Sequence, residues 1–249
     1  MIQVVIPYLA SAAQGCELAL AVAGWRRHFK EDFEIVVVGD DPRIDGVTFI
    51  PCPRVVLPQG CRQYHAHLDH VHKFREVRRH YPEAEGFIYT CDDIYAVRDF
   101  TLADVQRLKV RRDDITDRGI RWNAWVQDNW KTRGALAKAG LQTRNFVCHL
   151  PVWYEWDKLL EIYDRYHCDD TSYVVEQLYF NTFFPDVPAE HVEEPGSVWQ
   201  FKVWDHKATP AQVREALDRV VWISNSFRGW APWMEDILRE RYGLLDHPQ

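Results

Sequence analysis

Two pairs of adjacent carboxylates follow strongly apolar runs: Asp40 and Asp41 after FEIVVVG, and Asp92 and Asp93 after GFIYT and Cys91. Adjacent aspartates are hard oxygen donors of the kind Mg2+ or Mn2+ takes, and such an ion keeps waters and bridges substrate phosphates. An isolated Asp pair is more often a solvated turn, but two pairs at the ends of buried runs favour a site. A third group is the string His65-Ala66-His67-Leu68-Asp69-His70. Imidazoles with one carboxylate can hold zinc and bring its bound water to a pKa of about 7. Further on, DDTSYVVEQLYFN offers Glu176, with Asp169 and Asp170 ahead of it. A carboxylate there can serve as a general base, with Glu176 the first choice and Asp170 the second. His149 in CHLP and His206 in VWDH are candidates for a polar contact or a third metal ligand; each reads more readily as a satisfied structural histidine.

The elements that must position these groups show in the hydrophobic pattern. IQVVIPYL is a continuous apolar run ended by Pro7, which predicts a buried, parallel-type strand. GCELALAVAGWRRHF has apolar residues at helical spacing, with Glu17 in its first turn. DFEIVVVGDDP is a second buried strand, and GVTFIPCP a third. This β-α-β order predicts a parallel sheet with right-handed crossovers. Residues 54–64 read as a loop, and AHLDHVHKFREVRRHYP as a helix ending at Pro82. GFIYTCDDIYAV is two short strands around a polar break, and TLADVQRLKV a helix with Thr101 as N-cap. Helices are expected near 125–140, 154–166 and 171–182, then an irregular Trp-rich stretch, a late strand in RVVWISNSF and a closing helix in APWMEDILRERYG.

Composition sets the outer bounds. The 249 residues are 47% hydrophobic and 27% charged, which fits a globular chain and excludes a disordered or collagen-like one. The expectation is one α/β domain over 1–249. No apolar run approaches the roughly 18–20 residues of a membrane span, and the N-terminus lacks a basic signal region. Six scattered cysteines without CxxC fit reduced thiols, so a cytoplasmic location is expected. A net charge of −7 disfavours nucleic acid as a partner while leaving room for a local basic pocket. Ten of the eleven Trp lie after position 120; most are expected in the core, and a surplus of rigid rings also suits a sugar cleft.

VVIPYL, ELALAVAGW and FEIVVVGDDP together resemble the opening of GT-A nucleotide-sugar glycosyltransferases, and Cys91-Asp92-Asp93 resembles their DxD motif in an x-D-D form. The likeness covers about the first hundred residues. It implies a Rossmann-like, mostly parallel sheet flanked by helices, a nucleotide diphosphate sugar donor and a divalent metal, Mn2+ or Mg2+. Residues 1–110 would bind nucleotide and metal and 111–249 the acceptor, whose hydroxyl proton would pass to Glu176 or Asp170 and which His149 or His206 could contact. It implies that Pro7, Tyr8 and Asp40 or Asp41 meet the nucleoside. Asp92 and Asp93 would hold metal and donor, His206 would be a further metal ligand, and Lys73 would face the diphosphate. The Gly-Ser that often follows the strand-two Asp in inverting members is absent. A looser similarity to Stealth-type sugar-phosphate transferases rests on the acidic pair with CHLPVWYEW, but their TWVDG-like segment is missing.

The string at 65–70 resembles the HxHxDH motif of metallo-β-lactamase-fold hydrolases. In that family it follows a buried strand, and Gly-Gly comes after it; here it follows PQGCRQY and precedes Val71-His72-Lys73. On a helix, His65 would face Asp69, and the string needs no metal. A zinc hydrolase and a non-catalytic nucleotide-binding module therefore stand behind glycosyl transfer to a glycan or other hydroxyl acceptor.

Overall fold

The computed structural model describes residues 1–55, 66–112, 123–192, 196–204 and 207–244. In chain order the first elements are β1 (Ile2–Tyr8), α1 (Glu17–His28), β2 (Phe33–Gly39), β3 (Thr48–Pro51), α2 (Ala66–His80), β4 (Gly86–Tyr89), β5 (Ile94–Ala96), α3 (Leu102–Gln106) and β6 (Lys109–Val110). They continue with α4 (Ala124–Lys138), β7 (Val152–Glu155), α5 (Trp156–Tyr166), α6 (Val175–Phe183), β8 (Glu190–His191), β9 (Gln200–Val203), α7 (Pro210–Leu217), β10 (Trp222–Asn225) and α8 (Pro232–Tyr242).

The central sheet has the order β3-β2-β1-β4-β7, parallel except for β7, which runs antiparallel on β4. This is the mixed α/β, mostly parallel architecture the alternation predicts. Side chains of β1 alternate across it. Val5 packs with Val71, Phe74 and Val77 of α2 and with residues of α5 and α6, whereas Val4 and Ile6 pack with Leu18, Val22 and Trp25 of α1. α1 also turns Leu20 and Ala21 onto a second sheet, β5-β10-β9, backed by α7 and α8. A helix pressed between two sheets must be apolar on two faces, which accounts for the near-continuous LALAVAGW run. Gly24 is where that contact is tightest: a Cβ there would sit 2.7 Å from Tyr242 Oη and 2.9 Å from Ala96 O.

Pro7 lies inside β1 rather than ending it, and it sets the shape of the sheet edge. Thr90 N donates to Val5 O, so the next bond of the β1–β4 ladder would come from the N–H of residue 7. Proline has none. The ladder stops, and residues 90–93 leave the sheet beside the end of β1 while β1 continues to pair with β2 through Tyr8 and Gly39. Because β2 and β3 lie on one side of β1 and β4 on the other, the strand order reverses between β1 and β4, the crevice where open α/β sheets bind ligands.

The second half is more regular than expected. The helix predicted from 154 begins at Trp156, because Val152–Glu155 is taken up as an edge strand on β4. The one predicted from 171 begins at Val175. The stretch expected to be irregular holds β8, β9 and α7. The last starts with Thr209 as cap and Pro210 in the first turn, a start signal present in the sequence. Among the described residues no helix is long and apolar enough to cross a membrane.

Candidate active site

At the carboxyl ends of β1 and β2 the chain is tied by short bonds. Asp40 N donates to Tyr8 O at 3.2 Å, and Ala10 N donates to Asp40 Oδ2 at 2.8 Å. Gly39 has φ +135°, and a Cβ on it would lie 2.1 Å from Tyr8 O, so only glycine allows the two strand ends to approach. Lys73 reaches the same point from α2. Its Nζ donates to Tyr8 O at 3.1 Å and pairs with Asp69 at 2.8 Å, both side chains nearly solvent-free. Asp69 in turn accepts from Val55 N at 2.9 Å. Asp41 is exposed and accepts from Arg43 N at 3.0 Å, closing the turn after β2.

Asp92 and Asp93 stand in the reversal crevice. Burial pushes the Asp92 carboxyl up to about 7, helped by the negative charges of Asp93 and Glu17 and opposed by Lys73. The Tyr8 hydroxyl is raised by burial and then by Asp92, Asp40 and Glu17. Tyr8, Asp40, Asp92 and Glu17 thus form one electrostatic neighbourhood. Glu17, at the start of α1, is raised by burial against hydrogen bonds from Asn225 Nδ2 at 2.7 Å and Gln14 N at 2.6 Å. Three carboxylates converge here, and Lys73, the cation opposing them on Asp92, is already paired with Asp69. A site so charged is suited to a divalent cation and the phosphates it bridges.

Asp93 meets residues from the second half of the chain. His149 Nε2 lies 3.0 Å from its Oδ2, and Asn225 N donates to its carbonyl at 3.3 Å. His149 has φ +55°, an uncommon conformation for a residue with a side chain, and Gln200 Nε2 donates to its carbonyl at 2.7 Å. Cys91 Sγ, an Asp93 oxygen and a His149 ring nitrogen all lie within 4.8 Å of one another.

The other expected residues fall as follows. Glu176 is in the first turn of α6, and its charge is felt by Tyr89, Cys91 and Tyr154. Among the described residues its carboxylate makes no hydrogen bond. Asp170 is exposed in the α5–α6 connection, and Asp169 is gripped by Arg75 through Nε at 2.5 Å and a terminal nitrogen at 2.6 Å. His206 and His65 lie outside the described residues. His67, Asp69 and His70 sit on α2, with Asp69 committed to Lys73 and His70 Nδ1 3.5 Å from Tyr89 Oη. Sequence reasoning passed over Glu17 and Asn225 as site residues; neither has a local signal, since Asn225 acts from 208 residues away. Exposed Trp204 and Phe227 follow β9 and β10 on the same edge as Asp93.

No family model matches the chain, and no curated protein matches it. Solved structures do. The bifunctional glycosyltransferase WbbM in its apo form has a TM-score of 0.51 at 12% identity, over 99% of this chain and 50% of that one. A galactosyltransferase, LgtC, in complex with donor and acceptor sugar analogs, has a TM-score of 0.47 at 12% identity, over 100% and 98%. The apo glycosyltransferase GlyE of Streptococcus pneumoniae TIGR4 has a TM-score of 0.40 at 13% identity, over 98% and 60%. The chain therefore spans about half of WbbM and three fifths of GlyE. With the strand order, the reversal crevice and the WbbM likeness together, the fold of this chain is a glycosyltransferase fold.

Proposed function

We propose that the chain is a glycosyltransferase that moves a sugar from a nucleotide diphosphate sugar to a hydroxyl acceptor, a glycan or a similar molecule. The observation that carries the reading is the surplus of carboxylates, Asp92 and Asp93 with Glu17, in the β1/β4 crevice of a glycosyltransferase fold. Residues 1–110 would supply most of the donor site and 111–249 most of the acceptor site. Pro7, Tyr8 and Asp40, with Asp41 at the rim, would meet the nucleoside. Lys73, whose charge reaches Asp92, would temper the negative field where the diphosphate lies. Asp93, whose buried Oδ1 has no hydrogen bond and meets His149 Nε2 at 3.0 Å, would with Asp92 hold Mn2+ or Mg2+. Such an ion, when bound, offsets charge on the departing diphosphate.

In the reaction the acceptor oxygen bonds to the anomeric carbon, and the bond from that carbon to the phosphate oxygen breaks with its electron pair. Glu176, with Asp170 as the second choice, takes the acceptor proton. Phe227, and Trp204 on the face that Lys202 does not cover, offer ring faces to sugar C–H groups. A cytoplasmic setting belongs to this proposal, resting on the reduced-type cysteines. Two observations weigh against the zinc hydrolase: His67, Asp69 and His70 point from a helix, and Asp69 is spent on Lys73.

The test is calorimetric titration of chelator-stripped protein with a panel of nucleoside diphosphates, with and without Mn2+. One nucleotide should bind only with the ion, and Asp93→Ala should abolish both that binding and turnover. Unchanged turnover in Asp93→Ala sinks the reading. Absence of nucleotide binding with both Mn2+ and Zn2+, beside tight Zn2+ uptake that survives Asp93→Ala, would transfer it to the hydrolase.

A further inference from the structure

We infer that the metal centre of this crevice is a mixed sulfur, oxygen and nitrogen site, with Cys91 Sγ, the Asp93 carboxylate and His149 Nε2 as its protein ligands. The consequence is a preference for a borderline ion such as Zn2+ or Co2+ over Mn2+ and Mg2+. The inference rests on the reading of the crevice as a donor site and revises its metal: Cys91 and His149 take the place of Asp92 beside Asp93, and the ion changes with them.

Three observations carry it. The three donor atoms lie within 4.8 Å of one another, so a point within about 2.8 Å of all three exists, and a small closure brings it to the 2.0–2.3 Å of zinc bonds. Asp93 Oδ1 is buried and makes no hydrogen bond, although His149 Nε2 stands 3.0 Å from it. The imidazole nitrogen thus straddles both carboxylate oxygens without a directed bond to Oδ1, and a cation between ring and carboxylate would engage both. His149 is held at positive φ by the bond from Gln200 to its carbonyl, and Gln200 also donates to Ser224 Oγ at 3.0 Å. Strain of this kind persists only where the surroundings enforce it, and here its effect is to bring the imidazole onto Asp93.

Donor chemistry then decides the ion. Mg2+ and Mn2+ favour all-oxygen sets, imidazole suits zinc, and thiolate selects softer ions still. Asp92 contributes no atom to the three-atom cluster; its carboxyl feels Asp93 first and then Glu17 and Lys73. The Cys91 thiol, 3.2 Å from Tyr89 Oη, would release its proton to solvent on coordination. One protein sulfur, one imidazole and one carboxylate leave a fourth position for a phosphate oxygen or water.

The experiment uses the full chain stripped of metal and titrated with Co2+. Expected is a near-ultraviolet thiolate-to-cobalt charge-transfer band that saturates with the visible d–d bands. In Cys91→Ser the charge-transfer band disappears while the d–d bands persist, and Zn2+ affinity falls on the order of tenfold or more. Competition should show Zn2+ displacing Co2+ at far lower concentration than Mn2+. Cys91→Asp, which supplies a charged oxygen donor, should narrow the margin of Zn2+ over Mn2+ relative to the native protein without restoring the charge-transfer band. A cobalt complex without the charge-transfer band, or one whose band survives Cys91→Ser, overturns the inference. Nucleoside diphosphate binding, measured separately with Mn2+ and with Zn2+, keeps the two readings apart: metal-dependent binding without a thiolate band leaves the transferase standing and removes only Cys91.

Discussion

His70 shows how a single side chain takes a charge state from its surroundings. Its ring is packed by Tyr89 and Phe74, with centroids 5.5 and 5.9 Å away. Burial first, then the charges of His67 and Lys73, push its pKa down to about 3 against the pull of Asp69. In the unfolded chain it titrates near the ordinary value of about 6.5. Between those limits the unfolded chain binds a proton that the folded one refuses. The stability this neutral ring contributes is therefore complete above about pH 6.5 and falls as pH drops toward 3. The cost is at most about 1.4 kcal/mol per pH unit. His70→Gln keeps a polar atom near Tyr89 and cannot titrate. Denaturant unfolding at pH 7, 6 and 5 should show the variant gaining on the native protein as pH falls. A constant difference would mean that the ring takes up its proton as readily in the folded protein as in the unfolded chain. The same burial explains why the HxHxDH string misleads: its meaning depends on whether the residues leave a strand end or line a helix, and the letters alone do not carry that.

At the scale of elements, the parts most legible in the sequence are those whose pattern has one physical solution. The runs of β1 and β2 are too apolar for anything but a doubly covered strand, and α2 stops where Pro82 forces it to. β7 and β9 were not legible, because four residues with Trp, Tyr or Phe carry no period of their own, and only a neighbouring strand makes them strands. The carboxylate pairs were legible through their position after such runs. What the pattern did not reveal was that Pro7 ends one ladder while Gly39 closes the other. Gly39→Ala tests the second device. The new methyl would meet Tyr8 O at 2.1 Å and Lys73 Nζ at 3.0 Å, in a backbone region that side chains avoid. A loss of about 2–3 kcal/mol in urea unfolding is expected, with weaker nucleotide binding, because Tyr8 O also anchors Lys73 and Asp40. A midpoint within about 0.5 kcal/mol of the native protein would show that the strand ends separate at little cost.

For the whole molecule, the question is what makes two stretches of chain far apart in sequence behave as one site. Asn225, with no solvent exposure, ends β10 and makes three contacts across that divide. Its amide donates to Glu17 at the start of α1, its oxygen accepts from Tyr95 Oη at 2.8 Å, and its backbone N–H meets the carbonyl of Asp93. The small sheet is thereby locked against the acidic crevice, and His149 arrives from a third direction. Asn225→Ala leaves the Glu17 carboxylate and the Tyr95 hydroxyl without these partners, at about 1–3 kcal/mol for each buried group. A purely structural Asn225 would lower stability and leave the affinity of the folded protein unchanged. If instead it transmits the position of β10 to Asp93, metal-dependent nucleoside diphosphate binding should also weaken, by about tenfold, well below the unfolding midpoint. Glu17→Gln separates the effects further. It keeps a neutral partner for Asn225 but removes one of the three crevice charges, so it should preserve the fold and still reduce cation affinity. Equal affinities in native, Asn225→Ala and Glu17→Gln proteins would mean that the crevice is assembled by β1 and β4 alone.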